Sequence, residues 1–390
     1  MLHLPPDPGL SRRRDWASAP IGDWLTLILA PRVGPRTFAR LMAGFGSPSA
    51  VLAANDARLD QIGLKPETIA ALRQPDRALI DAILAWAEQP DAHLITLADP
   101  RYPPLLTEIA DPPPLLYARG DASLLSEPQI AIVGSRNPSP GGREITSDFA
   151  RRLAGHGLIV TSGLAIGIDG AAHAAALEAG HSIAVLGTGP DRVYPAVHRD
   201  LARGIVERGV MVSELPPGQG PLASSFPRRN RLISGLSLGV LVTEAALKSG
   251  SLITARMALE QGREVFAVPG SIRNPLSRGC HALIREGAKL VEEPEEILAE
   301  LAPQLHAALA GTELVRGAPA IGAEDPAPAL PPEQAQLLEI LGHDPVTLDE
   351  LTERTGLAVE RISSMLLLME LDGHVSSLPG GRYARAPGAS

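Results

Sequence analysis

Between about residue 90 and residue 301 the chain alternates short, branched apolar runs with longer segments whose apolar positions recur at helical spacing. The runs are Leu115–Ala118, Ile130–Val133, Leu158–Thr161, Ile183–Leu186, Val210–Ser213, Val240–Thr243, Val265–Val268 and Lys289–Val291. Most have the length and branching of a buried parallel strand. Helical patterns fill most of the gaps, among them Arg143–Leu153, Asp169–Ala179, Val197–Arg208 and Ile253–Gln261. This alternation predicts an α/β fold with an extended, doubly wound (Rossmann-like), mostly parallel sheet and helices on both faces. Ligands of such sheets sit beyond the carboxyl ends of the strands, where the loops here are rich in Gly, Ser, Thr and Arg.

The pattern changes on either side. Residues 1–89 read as an all-helical module, in which Pro31–Pro35 interrupts one helical run and IGLKPETIAALR repeats a short turn before a helix. Two helices around a Val-Gly-Pro or Ile-Gly-Leu turn resemble a helix-hairpin-helix or a sterile-alpha-motif-like module, and a small helical packing domain fits equally. Residues 302–332 are rich in Ala, Pro and Gly and lack periodicity, the composition of a linker. Residues 333–390 then predict helix, short strand, two helices and a Gly-Gly hairpin, the order of a winged helix, with a helix start at Thr347-Leu348-Asp349-Glu350. Its recognition helix, Val359 to Leu371, carries Arg361 but also Glu360 and Glu370, with Asp372 just beyond, which favours docking to protein over reading of duplex DNA.

Composition narrows the class. A single cysteine, Cys280, rules out an intrachain disulfide and a multi-cysteine zinc site and fits a reducing cytosol. No apolar run reaches membrane-spanning length and the N-terminal residues lack a signal-peptide core, so a cytoplasmic protein without a membrane partner is expected. The net charge of −9 argues against a nucleic-acid partner until its distribution is counted. Pro128 to Glu292 carries 18 Lys and Arg against 13 Asp and Glu, a net of +5 between acidic ends.

Four strand ends carry the candidate chemistry. Gly134-Ser135-Arg136 closes the first as a small-residue turn with a cation at its lip. The sequence there is G-S-R-N-P-S and not G-x-G-x-x-G, so a nicotinamide cofactor is disfavoured and no cofactor is expected. Ser162-Gly163 opens the second, with Asp169 as a helix N-cap and His173 as a core or interface histidine. Gly187 to Pro195 forms the third, where Tyr194 can stack a base or cap the sheet. The fourth, Lys248-Ser249-Gly250-Ser251, is a polar turn at a helix start, preceded in the chain by Arg228, Arg229, Asn230 and Arg231. No Asp or Glu lies between Glu214 and Glu244, and aromatic residues make up 3% of the chain. Phosphate neutralisation should therefore dominate over base stacking. No nucleophile–base constellation, metal spacing or Walker A loop occurs, which favours binding over catalysis.

The segments IAIVGSR (130–136), SGLAIGIDGAAH (162–173), GTGPDRVYP (187–195), FPRRNRLISGLS (226–237) and EAALKSGSLITARMALEQGREVFAVPG (244–270) together resemble the bacterial DNA processing protein A family in register and order. The resemblance implies a non-enzymatic protein that binds and shields incoming single-stranded DNA and helps load the recombinase RecA during natural transformation. It implies a DNA pocket at Arg136, Arg229 to Arg231 and Lys248 to Ser251, and a homodimer formed around Cys280 to Leu290. One departure stands out: the chain has Tyr194-Pro195-Ala196-Val197-His198 where many members carry a lysine after the proline, with Arg199 as a substitute.

A physical argument adds to the dimer. The final strand would lie at the sheet edge with unpaired backbone groups, and Leu283 and Ile284 sit side by side on a short helix, so one of them should face outward. Two other classes stay open. A nucleotide-hydrolysing enzyme of the lysine-decarboxylase-like type would use Glu244, although the chain lacks that group's P-G-G-x-G-T loop. A winged-helix transcription regulator would prefer duplex DNA.

Overall fold

The computed structural model describes residue 16 and residues 18–315, 331–341, 345–372, 374–378 and 381–385. The apolar runs become strands: β1 (Ala92–Thr96), β2 (Leu115–Gly120), β3 (Gln129–Val133), β4 (Ile159–Ser162), β5 (Ser182–Val185), β6 (Gly209–Ser213), β7 (Gly239–Val242), β8 (Glu264–Ala267) and β9 (Lys289–Leu290). Contacts divide the chain into two units, one running to Ser126 and including Ile183–Leu236, the other comprising Glu127–Ser182 and the chain from Ser237.

Between Ile21 and Ala87 the first unit carries six helices, α1 (Ile21–Leu29), α2 (Pro35–Phe45), α3 (Pro48–Ala53), α4 (Asp56–Gln61), α5 (Pro66–Arg73) and α6 (Arg77–Ala87). Proline opens α2, α3 and α5, where its missing N–H costs nothing, and Ser47, Asn55 and Asp76 cap α3, α4 and α6 through their side-chain oxygens. Leu27, Leu41, Val51 and Leu59 fill the core around Trp24 and Phe38, whose rings stack at 5.2 Å. The unit continues with α7 (Pro104–Thr107) and the strand order β1-β2-β6-β5. Here β1 pairs with β2, and β2 with β6, in antiparallel register. β1 lies outside the strands that the pattern predicts.

The second unit carries the parallel strands in the order β4-β3-β7-β8-β9. Ile130, Ala131, Ile132, Val240, Leu241 and Val242 are buried, as continuous apolar runs require. The register sets Val133 beside Val242 and Val242 beside Ala267, so three neighbouring strands end level with one another. β9 sits at the edge, bonded to β8, as expected of a last strand.

The crossover helices are α8 (Pro140–Gly155), α9 (Ile168–Ala179), α10 (Arg199–Arg208), α11 (Ser225–Leu236), α12 (Ser251–Glu260) and α13 (Arg278–Arg285). They are followed by α14 (Pro294–Val315), which passes through Pro303. The expected linker is therefore helical as far as Val315, and residues 316–330 of it lie outside the described residues. The winged helix follows in the predicted order: α15 (Pro332–Leu341), β10 (Val346–Thr347), α16 (Leu348–Thr355), α17 (Val359–Leu371), β11 (Val375–Leu378) and β12 (Arg382–Arg385). Thr347 and Glu350 form a capping box that starts α16. The backbone and side-chain donors of Thr347 hold the Glu350 carboxyl below its ordinary range.

Candidate functional site

Level strand ends gather the loops of the second unit around one carboxylate. Glu244, just after β7, is 6% exposed. Its Oε2 accepts the Ser139 N–H at 2.8 Å, and its Oε1 accepts the Ser139 hydroxyl at 2.7 Å and the Asn274 amide at 3.4 Å. Its carbonyl accepts the Ser135 N–H at 2.7 Å. One residue thus ties the loops after β3, β7 and β8 together. A buried carboxylate holding three donors acts as a brace between loops.

The glycines serve the same frame. A Cβ on Gly134 would meet Ile168 at 2.7 Å and the Glu244 carbonyl at 2.8 Å, so this glycine permits loop against loop, and the Ser135 amide is already used. The Ser135 N–H, expected beside a phosphate, is thereby spent on the Glu244 carbonyl, which corrects that expectation for Ser135. Gly163, expected among the DNA contacts, is instead buried and gives its N–H to Asp169 at 3.1 Å. Asp169 also holds the Ala165 N–H at 3.3 Å.

His173 is the core histidine that its position suggests. Ser182 spends its proton on the Val160 carbonyl at 2.6 Å, so its oxygen accepts Nδ1–H of His173 at 2.7 Å. Nε2 is then the acceptor for the Leu164 N–H at 3.3 Å. That bond anchors Leu164 at φ 59°, a left-handed conformation rare for a leucine. Gly167, at φ +88°, lies so near Arg136 that a Cβ would come within 2.7 Å of its carbonyl group. The loop after β4 therefore sets the platform on which Arg136 stands.

On this frame sit cations that no acidic residue among the described ones pairs with. Arg136 and Lys248 are exposed and form no ion pair among the described residues. Lys248 leads the turn into α12, where the Ser249 and Ser251 hydroxyls bond at 2.7 Å and the Cβ position of Gly250 opens onto free space. Ser249 is half-buried and Ser251 is buried. Arg273 and Arg278, after β8, are likewise exposed and without an ion pair among the described residues. Sequence reasoning missed these two, although a signal was present: no Asp or Glu lies between Glu264 and Glu286.

The arginine cluster of the first unit differs from its expected form. Residues 228–231 are helical, within α11, and Glu214 lies beside them. Arg231 is 6% exposed and pairs with Glu214 at 2.6 Å and with Asp111 at 3.4 Å. Arg229 is 5% exposed and donates to the Val185 carbonyl. Burial makes both struts where DNA contacts were expected, Arg231 because acidic residues distant in sequence are its neighbours in space and Arg229 because a strand carbonyl takes its guanidinium. Arg228 is exposed but also reaches Glu214, at 3.1 Å, and Asn230 is half-buried with its Oδ1 facing Arg229 Nε at 3.3 Å. Tyr194 is exposed and leans on Phe226 with ring centres 5.4 Å apart.

Of the three residues expected at a dimer contact, Cys280 and Leu283 point inward. Cys280 is buried with its thiol on the Val242 carbonyl at 3.5 Å, and Leu283 is 2% exposed. Ile284 is the outward member of the pair, half-buried, and Leu290 on β9 is exposed. In the winged helix, α17 meets the α/β body. Glu360 bonds His181 at 2.9 Å, Glu370 faces His156 at 3.9 Å, and Ser363 abuts the backbone turn at Gly157. A helix covered in this way does not present that face to a DNA groove. Among the described residues no helix is long and apolar enough to cross a membrane.

Comparison with known proteins agrees over most of the chain. The family model described as "DNA recombination-mediator protein A" matches residues 93–302. A "DprA winged helix domain" matches 322–381, and a "DprA-like N-terminal HHH domain" matches 21–70. The chain is 46% identical to "Protein Smf" of Escherichia coli over 340 residues, 85% of this chain and 89% of that protein. It is 47% identical to "DNA processing protein DprA" of Streptococcus pneumoniae over 220 residues, 54% of this chain and 78% of that protein. The X-ray structure of DNA processing protein A from Streptococcus pneumoniae superposes with a TM-score of 0.64 at 38% identity, covering 72% of this chain and 97% of that one.

Proposed function

We propose that this chain, which belongs to the DNA recombination-mediator protein A family, binds single-stranded DNA along the strand-end crest of its second unit and does no chemistry on it. The observation that carries this reading is the pair of exposed, unpaired cations Arg136 and Lys248 on loops whose own polar groups already satisfy one another. A rigid frame with spare positive charge suits a polyanion, and scarce aromatics make the phosphate backbone the main handle. The bracing role of Glu244 disfavours the hydrolytic reading, and the covered α17 disfavours a duplex-reading regulator.

The test is fluorescence anisotropy of the full chain with labelled single-stranded and duplex oligonucleotides at graded salt. Single strands should win, and affinity should fall steeply with salt. Arg136→Ala should weaken binding by about 10- to 100-fold, the worth of one charge-assisted hydrogen bond, and by more than removal of the winged helix does. A preference for duplex, or the opposite ranking, refutes the reading.

The finer roles follow from the family resemblance: protection of incoming DNA, loading of RecA during transformation, and action as a homodimer. The edge position of β9 and the outward Ile284 and Leu290 support the dimer, since a second copy would cover unpaired backbone and apolar surface together. Faster RecA filament growth on the single strand in the presence of this protein would support the loading role, and no change in growth would count against it.

A further inference from the structure

The loop after β8 carries a pairing of features that the crest described above does not use. Ile272 is 80% exposed, the highest value among the large apolar side chains described, and its neighbour Arg273 is exposed with no ion pair among the described residues. Exposed isoleucines are ordinary on floppy loops; this loop is held from both sides. The Ser271 carbonyl accepts the Asn274 N–H at 2.9 Å, and Ser271 Oγ accepts the Arg273 N–H at 3.3 Å. Asn274 Oδ1 accepts the Leu276 N–H at 3.0 Å, and the Asn274 side-chain amide reaches Glu244. The Leu276 carbonyl accepts the Ala245 N–H at 2.7 Å, which fastens the loop to the strand end that leads to Lys248. The Gly270 carbonyl faces His281 Nε2 at 3.0 Å.

We propose that this loop, Gly270 to Ser277, is a further subsite for the same DNA strand, with Arg273 on a phosphate and Ile272 against the adjoining base. The proposal rests on the reading of the crest as a single-strand site and gives that site a direction. β3, β7 and β8 are adjacent and end level, so Arg136, Lys248 and Arg273 leave from three successive strand ends across about 10 Å. A single strand crossing the sheet perpendicular to its strands meets them in turn. Charge selects the occupant, because no Asp or Glu lies between Glu264 and Glu286 and Arg278 adds a further unpaired cation. An apolar side chain next to a spare cation suits a base attached to phosphates, whose flat face needs cover while its backbone needs cations.

The experiment uses the full chain, oligothymidylates of graded length from the tetranucleotide upward, and the variants Arg273→Ala, Ile272→Ala and Arg136→Ala. Both loop side chains are exposed, so thermal transitions should match the parent. Arg273→Ala should reduce the slope of log affinity against log salt by about 0.7, the value for one phosphate on a single strand. It should also weaken long oligonucleotides about ten-fold while leaving the shortest nearly unchanged. Ile272→Ala should weaken long oligonucleotides several-fold with the slope intact. If Arg136→Ala weakens binding while Arg273→Ala changes neither slope nor affinity at any length, the subsite is refuted and the crest stands. If neither arginine matters, the crest reading falls and the subsite with it. If Ile272→Ala shifts the sedimentation coefficient and not DNA affinity, the loop is a protein contact and the subsite is refuted.

Discussion

Two adjacent glycines in the first turn of α8 offer a test in which local propensity and tertiary packing predict opposite signs. Gly141 and Gly142 both become alanine. Helix propensity favours each change, by at most about 1 kcal/mol. At Gly141 the new methyl meets nothing within 4 Å, so that gain should appear. At Gly142 the methyl would lie 2.9 Å from the Cγ of Glu244 and closer still to its carboxylate carbon. Glu244 cannot retreat without lengthening its bonds from the Ser139 N–H and hydroxyl, now 2.8 and 2.7 Å. Hydrogen bonds to a charged group are worth roughly 1.5–3 kcal/mol each. After the propensity gain is deducted, Gly142→Ala should open this loop at a cost of about 2–5 kcal/mol.

In a chain of several domains a single unfolding energy is poorly defined, so the assay should be local. Native-state hydrogen exchange at the Ser135 and Ser139 amides reads the two bonds that Glu244 accepts there. At 1.4 kcal/mol per tenfold, protection should fall roughly 30- to 4,000-fold in Gly142→Ala and should hold or rise in Gly141→Ala. Single-strand affinity should drop in Gly142→Ala alone, since Arg136 stands on the displaced loop. Equal behaviour of the two variants would refute the bracing role of Glu244.

Other consequences can be checked independently. Arg231→Leu leaves Glu214 buried with a weaker partner and should cost about 3 kcal/mol by native-state hydrogen exchange at the α11 amides, while Arg228→Ala should cost about 1 kcal/mol or less there. Leu283→Arg should unfold the domain, whereas Ile284→Arg should leave a folded monomer, as sedimentation velocity would show. Burial pushes the Cys280 thiol up to about 11, so the folded chain keeps that proton where the unfolded chain has lost it. The associated stability is complete below about pH 9 and is lost as pH rises toward 11, and at pH 8 a thiol reagent should label the native protein far more slowly than the denatured one.

The parallel strands, the winged-helix order and the strand-end loops were legible in the amino-acid sequence because burial on both faces demands continuous apolar runs, and turns demand Gly, Ser and Pro. Arg136 and Lys248 were legible for the same reason, since a cation at a strand end has its position set by local chain geometry. β1 was not, because His93 and Thr96 interrupt a run that antiparallel pairing with β2 tolerates. The arginines of α11 looked equivalent in sequence, yet Glu214, fourteen or more residues away, neutralises Arg231, reaches Arg228 and leaves Arg229 to a carbonyl. Gly134 looked like a glycine of the anion turn and proved to be a clearance for Ile168 and Glu244, while the clearance that Gly142 gives Glu244 had no signal in the sequence. Which charge is spare and which glycine is a clearance depends on what the fold brings within 3 or 4 Å, and that distance is a property of tertiary packing alone.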